Sequence, residues 1–182
     1  MRIHLPSCIV SSYLLSLGGG GLQDSSKFNG SLNFVSVTSV SPASHYWGIT
    51  QAITYGSSTP ILSPSSAGIV DTGTTLLYLP TDAFLRYVSA TNATRHSTGL
   101  LEIASTEFAK LKSLFFTIGG VKYEFTANAQ IWPRHLNTNI GGSPNSIYLI
   151  VADRGTQSGS GLDFVNGFVW LYVCLLFSRE HT

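Results

Sequence analysis

The run Gly68-Ile69-Val70-Asp71-Thr72-Gly73-Thr74-Thr75-Leu76 sets one carboxylate in a short polar turn directly after an apolar pair. Ile69-Val70 reads as the end of a buried strand, and Gly73 suits a backbone conformation that a residue with a Cβ would resist. Thr72, Thr74 and Thr75 place hydroxyl donors beside Asp71, and donors to a carboxylate favour its charged form. Such a group suits general acid–base chemistry in acid, where two neighbouring carboxylates share one proton. One takes a proton from water while the other gives one to the bond being broken. The sequence holds one such turn, and no second Asp-Thr-Gly or Asp-Ser-Gly occurs in it. The bare tripeptide is also ordinary turn chemistry, because Asp and Gly are both turn formers, so the rest of the chain has to decide.

The elements that must position Asp71 are mostly strands. Leu32 to Val37, and then Trp47, Ile49, Ile53 and Tyr55 at alternating positions, predict half-buried strands with a break at Ser41-Pro42. Tyr55-Gly56-Ser57-Ser58 and Ser63-Pro64-Ser65-Ser66 predict turns leading into the Asp71 strand. After Leu79 the period changes. Pro80-Thr81-Asp82 predicts a helix start, with Phe84, Tyr87, Val88 and Thr91 on one face, and a second short helix is predicted from Ser105 through Phe108 and Leu111. Gly119-Gly120 between Leu114–Ile118 and Val121–Phe125 signals a two-residue hairpin. The apolar run Ile147 to Val151 predicts one buried central strand. The fold class is mainly β with short helices.

At 182 residues the chain suits one domain or one lobe of a larger one. Charged residues make up 10%, the net charge is +1, and Lys and Arg are not clustered, which argues against nucleic acid and against acidic membrane surfaces as partners. Cys8 and Cys174 lie near opposite ends, the histidines are scattered, and neither HExxH nor paired CxxC occurs, so no metal site and no cofactor are expected. The Gly18–Gly21 run lacks the Lys-Ser or Lys-Thr of a phosphate loop, and Gly159-Ser160-Gly161 lacks the spacing of a serine nucleophile elbow. Asn29 and Asn92 stand in glycosylation sequons, which act only in a secretory compartment. Residues 1–20 read either as a weak signal, with Arg2 ahead of the apolar run Ile9 to Leu17, or as an altered start. The apolar stretch Phe168 to Phe177 is shorter than the ~20 residues a bilayer demands, so no membrane span is expected.

Beyond the Asp71 run, several stretches occur in order: Asp24-Ser25-Ser26-Lys27-Phe28, Tyr46-Trp47-Gly48-Ile49, Ser113 to Gly120, Asn128-Ala129-Gln130-Ile131-Trp132-Pro133, and Gly161-Leu162-Asp163-Phe164-Val165-Asn166-Gly167. On these the chain resembles the pepsin-like aspartic endopeptidases, and among them the C-terminal half of fungal, basidiomycete members. The resemblance implies one lobe of the bilobal acid-protease fold over residues 21–171, after a divergent segment 1–20 and before a divergent tail 172–182 in which the last strands of the lobe are replaced. It implies Asp71 as one of the two catalytic carboxylates, with Thr72, Gly73 and Thr74 as its active-site loop. Thr72 would bond across to the other lobe, while Gly73 and Thr74 would steady the carboxylate. Thr75, Ile69 and Tyr46 would line substrate pockets, ordinary sheet core being the alternative for Ile69 and Tyr46. Phe164, Val165 and Gly167 belong to a segment that threads beside the Asp71 loop and locks it, and Asp163 is expected at that strand's entrance rather than as a second acid.

Three functional expectations follow from that resemblance. The first is an aspartic-type endopeptidase acting on peptide or protein substrates, with a complementary N-terminal lobe or a self-paired copy supplying the other Asp. The second is an inactive fragment or peptide-binding lobe that lacks the first-lobe Asp and flap. The third is a longer bilobal enzyme of which this is one part. An extracellular or secretory/vacuolar location is what the family implies.

Overall fold

The computed structural model describes residues 2–6 and 32–176. Cys8, the Ile9 to Leu17 run, Gly18–Gly21, Asp24–Phe28, the Asn29 sequon and residues 177–182 lie outside the described residues. In chain order come β1 (Arg2–Pro6), β2 (Leu32–Ser36), β3 (Gly48–Tyr55), β4 (Thr59–Val70), β5 (Leu77–Leu79), α1 (Thr81–Thr91), β6 (Thr94–Arg95), β7 (Leu101–Ile103), α2 (Ser105–Phe108), β8 (Leu114–Ile118), β9 (Val121–Phe125), β10 (Ile147–Leu149), β11 (Val151–Asp153), β12 (Phe164–Asn166) and α3 (Phe168–Leu176). Strands β1 and β2 pair with each other, β10-β7-β6 form a small sheet, and the main sheet runs β11-β5-β12-β4-β3-β8-β9. The architecture is mainly β with a few short helices.

The main sheet buries one face. Ile49 and Ile53 of β3, Phe116 of β8 and Phe164 of β12 are essentially inaccessible. Phe116 meets Phe125 edge-on (centroids 5.7 Å, 72°) and Trp170 of α3 likewise (5.5 Å, 63°), so α3 closes one side of the core. Helix α1 buries Ala83, Phe84, Tyr87 and Thr91, a spacing that gives one helical face. The Arg86 guanidinium anchors it to β4 through the Ile61 carbonyl (3.1 and 2.9 Å). Asn92 ends the helix in the left-handed conformation (φ 54°), and its side-chain nitrogen, the atom a glycan would occupy, donates to Glu107 (2.9 Å).

Three sequence expectations need correction. Ser63-Pro64-Ser65-Ser66 is not a turn: it lies inside β4, where the register moves from Gln51↔Ser66 to Ile53↔Leu62. The polar residues and the proline sit in a bulge, where a missing ladder hydrogen bond is tolerated. The Ile147 to Val151 run is two strands. Ile147–Leu149 pairs antiparallel with β7, whereas Val151–Asp153 pairs parallel with β5. At the switch, Ile150 donates to the Gln130 carbonyl (2.9 Å) and accepts from Leu77 (3.1 Å), so the backbone stays satisfied while changing sheets. The helix from Ser105 stops at Phe108. Its bonds tighten from Ala109 N–H to Ser105 into Lys110 N–H to Glu107 and Leu111 N–H to Phe108, three residues apart.

Asp153, at the end of β11, ties that strand to α1. It accepts from the Thr81 hydroxyl (2.7 Å), the Gly155 N–H (2.9 Å) and Arg95 (3.0 Å). Burial pushes this carboxyl up, but the bonds from Thr81, Gly155 and Arg95 outweigh it and hold it below the usual carboxylate range. A folded-state value below the unfolded one means stabilisation that is complete above about pH 4 and disappears as pH falls through the lower folded value. Asp153→Asn is therefore expected to lower stability in urea by about 1 kcal/mol at pH 6. The gap from the wild type should close as pH falls below the ordinary carboxylate range and through the lower folded-state value. A gap that persisted undiminished at pH 2 would show that the charge is not its source.

Candidate active site

Strands β4 and β5 flank the Asp71 turn, and β12 is inserted between them. It runs parallel to β4 (Phe164↔Gly68, Val165↔Ile69, Asn166↔Val70) and antiparallel to β5 (Val165↔Tyr78, Asn166↔Leu77). A turn whose two flanking strands are held apart by a third cannot close like a hairpin, so its ends are fixed by the sheet. The backbone is anchored on both sides: Val70 N–H donates to the Trp47 carbonyl (3.0 Å) and Asp71 N–H to the Asn166 carbonyl (3.1 Å).

Both carboxylate oxygens of Asp71 accept bonds from within the turn. Gly73 N–H donates to Oδ1 (3.0 Å) and the Thr74 hydroxyl to Oδ2 (2.5 Å). Hydrogen bonds to a charged acceptor are short and strong, so the half-buried carboxylate is held in one orientation. Thr72 is exposed beside it. On the far side of the turn, the Thr74 and Thr75 carbonyls accept from Phe168 N–H (2.6 Å) and Val169 N–H (3.1 Å), the first donors of α3, which would otherwise lack partners. The positive end of α3 thus abuts the turn.

Gly73 has a reason different from the expected one. Its φ lies outside the left-handed region; a Cβ there would instead stand 3.3 Å from Asp71 Oδ1, crowding the carboxylate. Gly167 is constrained more severely, since a Cβ would collide with the Leu76 carbonyl oxygen and stand 2.6 Å from that of Thr74. Phe164, two residues before Asn166, is fully buried against Gly68.

Beside the turn opens a cavity of about 600 Å³, lined by Gly73, Thr74, Thr75, Leu76, Tyr78, Val165, Thr98, Leu100, Trp132 and Ile140. Of the pocket residues expected from sequence, Thr75 lines it. Ile69 sits one strand further along the same row, opposite Val165, and Tyr46, 60% exposed and outside the cavity lining, directly precedes Trp47, whose carbonyl holds Val70 N–H. Val165 faces the cavity, while Phe164 and Asn166 on either side of it turn into the core. Tyr78, Thr98, Leu100, Trp132 and Ile140 were not singled out by sequence reasoning. Tyr78 carried a readable signal, since it lies between Leu77 and Leu79, both buried, and must point to the opposite face. The others come from loops or a different sheet, where no local period marks them.

A carboxylate fixed beside a cavity that the next residues of its own turn, Gly73, Thr74 and Thr75, help to line can hold a water by hydrogen bonds and take its proton; protonating a leaving group needs a second acid. Among the described residues the other aspartates are committed elsewhere. Asp82 accepts from Arg86 and Ser158, Asp153 from Thr81, Gly155 and Arg95, and Asp163, 3% exposed, from Gly159 N–H (2.8 Å) and Ser160 N–H (3.0 Å). Asp163 N–H also donates to Ala67 (2.6 Å), which puts it at the entrance of β12. Among the described residues no three His, Cys, Asp or Glu side chains are grouped to hold a metal ion, and no helix is long and apolar enough to cross a membrane.

The family profile described as eukaryotic aspartyl protease matches residues 15–143. Polyporopepsin of Irpex lacteus is 60% identical over 152 residues, which cover 83% of this chain and 44% of that protein. Pepsin A of Sus scrofa is 37% identical over 71% of this chain and 32% of its own length. The crystal structure of the aspartic proteinase from Irpex lacteus superposes with a TM-score of 0.80, covering 83% of this chain and 44% of that one. The chain thus spans less than half the length of these relatives, and within that span the match of sequence and fold is extensive. The chain belongs to the eukaryotic aspartyl protease family and has the pepsin-like fold.

Proposed function

We propose that this chain supplies the second-lobe half-site of an aspartic endopeptidase, with Asp71 as one of two carboxylates. The observation that carries the proposal is the Asp71 carboxylate, pinned through both oxygens by Gly73 and Thr74, which themselves line the cavity of about 600 Å³ beside the turn. Its partner is an Asp from a complementary N-terminal lobe, or from a second copy of this chain. A water held between the two carboxylates loses a proton to one while the other protonates the scissile carbonyl, so the water oxygen adds to the carbonyl carbon without a covalent enzyme intermediate. Substrates are extended peptides with apolar side chains beside the scissile bond, which suits a cavity walled by Val165, Leu100 and Trp132. Thr72 bonds across to the partner lobe, a role that its exposure next to Asp71 supports. The family relationship supports an extracellular or secretory/vacuolar setting.

A second reading has its own support: none of the aspartates among the described residues is free to serve as the second acid, so the chain alone is a peptide-binding lobe without turnover. One experiment separates the two. The purified chain is assayed on denatured globin at acidic pH, alone and after co-refolding with the first lobe of the 60%-identical polyporopepsin. Little cleavage by the chain alone and clear cleavage by the mixture are expected. A stable mixed complex that cleaves nothing, yet takes up a statine peptide, would leave the binding reading; cleavage by the chain alone would point to self-pairing.

A further inference from the structure

Two amides are buried side by side beneath the Asp71 turn. Gln51 of β3 is 1% exposed and Asn166 of β12 is inaccessible. Gln51 Nε2 donates to Asn166 Oδ1 (3.2 Å) and Asn166 Nδ2 donates to Gln51 Oε1 (2.8 Å), a reciprocal pair made across the intervening β4. Burying two amides among Ile49, Ile53 and Phe164 is unfavourable unless their polar atoms find partners, and here each satisfies the other. The same Asn166 offers its backbone carbonyl to Asp71 N–H (3.1 Å), so the residue fixed by Gln51 is the one that holds the Asp71 backbone.

We propose that the Gln51–Asn166 amide pair is a positioning device for Asp71, setting the register of β12 and through it the placement of the carboxylate turn. Strand β12 is three residues long and begins with two consecutive apolar residues, Phe164 and Val165. A slip by one residue would bring Val165 into the core in place of Phe164 and lose the fit of the Phe164 ring against Gly68. The same slip turns Asn166 away from Gln51 and leaves the Gln51 amide buried and unpaired. The polar pair therefore adds its own penalty on the slipped state to that of the lost Phe164–Gly68 contact. Without it, β12 samples neighbouring registers, its Asn166 carbonyl moves relative to Asp71, and the turn loosens while the rest of the sheet stays closed.

That Asp71 is catalytic rests on the function proposed above; that the pair holds its backbone does not, and the test keeps the two apart. Amide hydrogen exchange is followed on the chain for Gln51→Ala and Asn166→Leu. Asp71 N–H is compared with Phe116 N–H, which lies in β8, on the side of β3 away from β4 and the Asp71 turn. In either variant Asp71 N–H should exchange at least about 10-fold faster than in the wild type, with Phe116 changing by less than about 3-fold. Should Asn166→Leu fail to fold, Gln51→Ala, which leaves Asn166 in place, decides alone. Equal acceleration at both amides would reduce the pair to general stability and overturn the proposal, as would a Gln51→Ala/Asn166→Leu double variant with wild-type protection at Asp71. In the co-refolded enzyme, Gln51→Ala should lower kcat about 10-fold with KM within about 2-fold, the pattern of lost transition-state alignment. A change confined to KM would count against positioning. If the co-refolded wild type proves inactive, the function proposal fails while hydrogen exchange still decides this one.

Discussion

Asp71→Asn in the co-refolded enzyme is expected to lower kcat by about 10²- to 10⁴-fold, the usual range for a lost acid–base group, and to leave the fold intact. Asparagine is nearly isosteric. Its amide oxygen can still accept from Gly73 N–H, which now meets Oδ1 at 3.0 Å, while the backbone bonds from Asp71 N–H to Asn166 and from Thr74 N–H to the Asp71 carbonyl are untouched. What the substitution removes is the negative charge and the capacity to take and return a proton. The Thr74 hydroxyl, which donates to Oδ2 at 2.5 Å, meets an NH₂ group in its place and must rotate to accept. Two measurements separate chemistry from folding: kcat on a chromogenic peptide at acidic pH, and the thermal midpoint of the chain. A variant that kept wild-type kcat would remove Asp71 from the mechanism; a collapse of the midpoint would make the loss of rate uninformative about chemistry, and Thr74→Val, which keeps the charge, would then be the variant to compare.

The parts of this molecule that could be read from sequence are those written in a local code. The helix face of Phe84, Tyr87 and Thr91, the Gly119-Gly120 hairpin and the Asp71 turn each depend on residues within a few positions of one another, and each occurs where the pattern puts it. The illegible parts are set by partners far away in the chain. Nothing in Ile147 to Val151 marks the change from pairing with β7 to pairing with β5, because a continuous apolar run is buried equally well in either sheet. The serines before Asp71 promised a turn and became a bulge because β3 was available to pair on both sides of them. Gln51 stands at an inward position among Ile49, Ile53 and Tyr55, where a polar residue looks like a fault in the alternation until its partner, 115 residues later, is known. The cavity was partly hidden for the same reason, since Trp132, Leu100 and Ile140 converge on Thr75 from separate stretches of chain.

Phe164→Ala should cost about 3–5 kcal/mol, a large share of the ~5–15 kcal/mol by which a domain is stable. The ring is fully buried, and it occupies the space that Gly68 leaves by having no side chain: a Cβ at Gly68 would collide with the Phe164 backbone oxygen and stand 2.5 Å from its ring. Removing the ring opens a cavity between β4, which leads into the Asp71 turn, and β12, which is wedged beside it, and rigid strands close such a gap only in part. The same contact fixes what Gly68→Ala does. Alone it overpacks the interface and should cost about 1–3 kcal/mol or more, but in the Phe164→Ala background the ring is gone and only the backbone oxygen remains in the way. The two substitutions must therefore be non-additive, the double variant being more stable than the sum of the singles by about 1 kcal/mol or more. Rescue stays incomplete because the oxygen does not move with the side chain. Urea unfolding of the wild type, both singles and the double variant gives the coupling directly; strict additivity would mean that Phe164 and Gly68 do not share this space, and that β12 is held against β4 by its ladder alone.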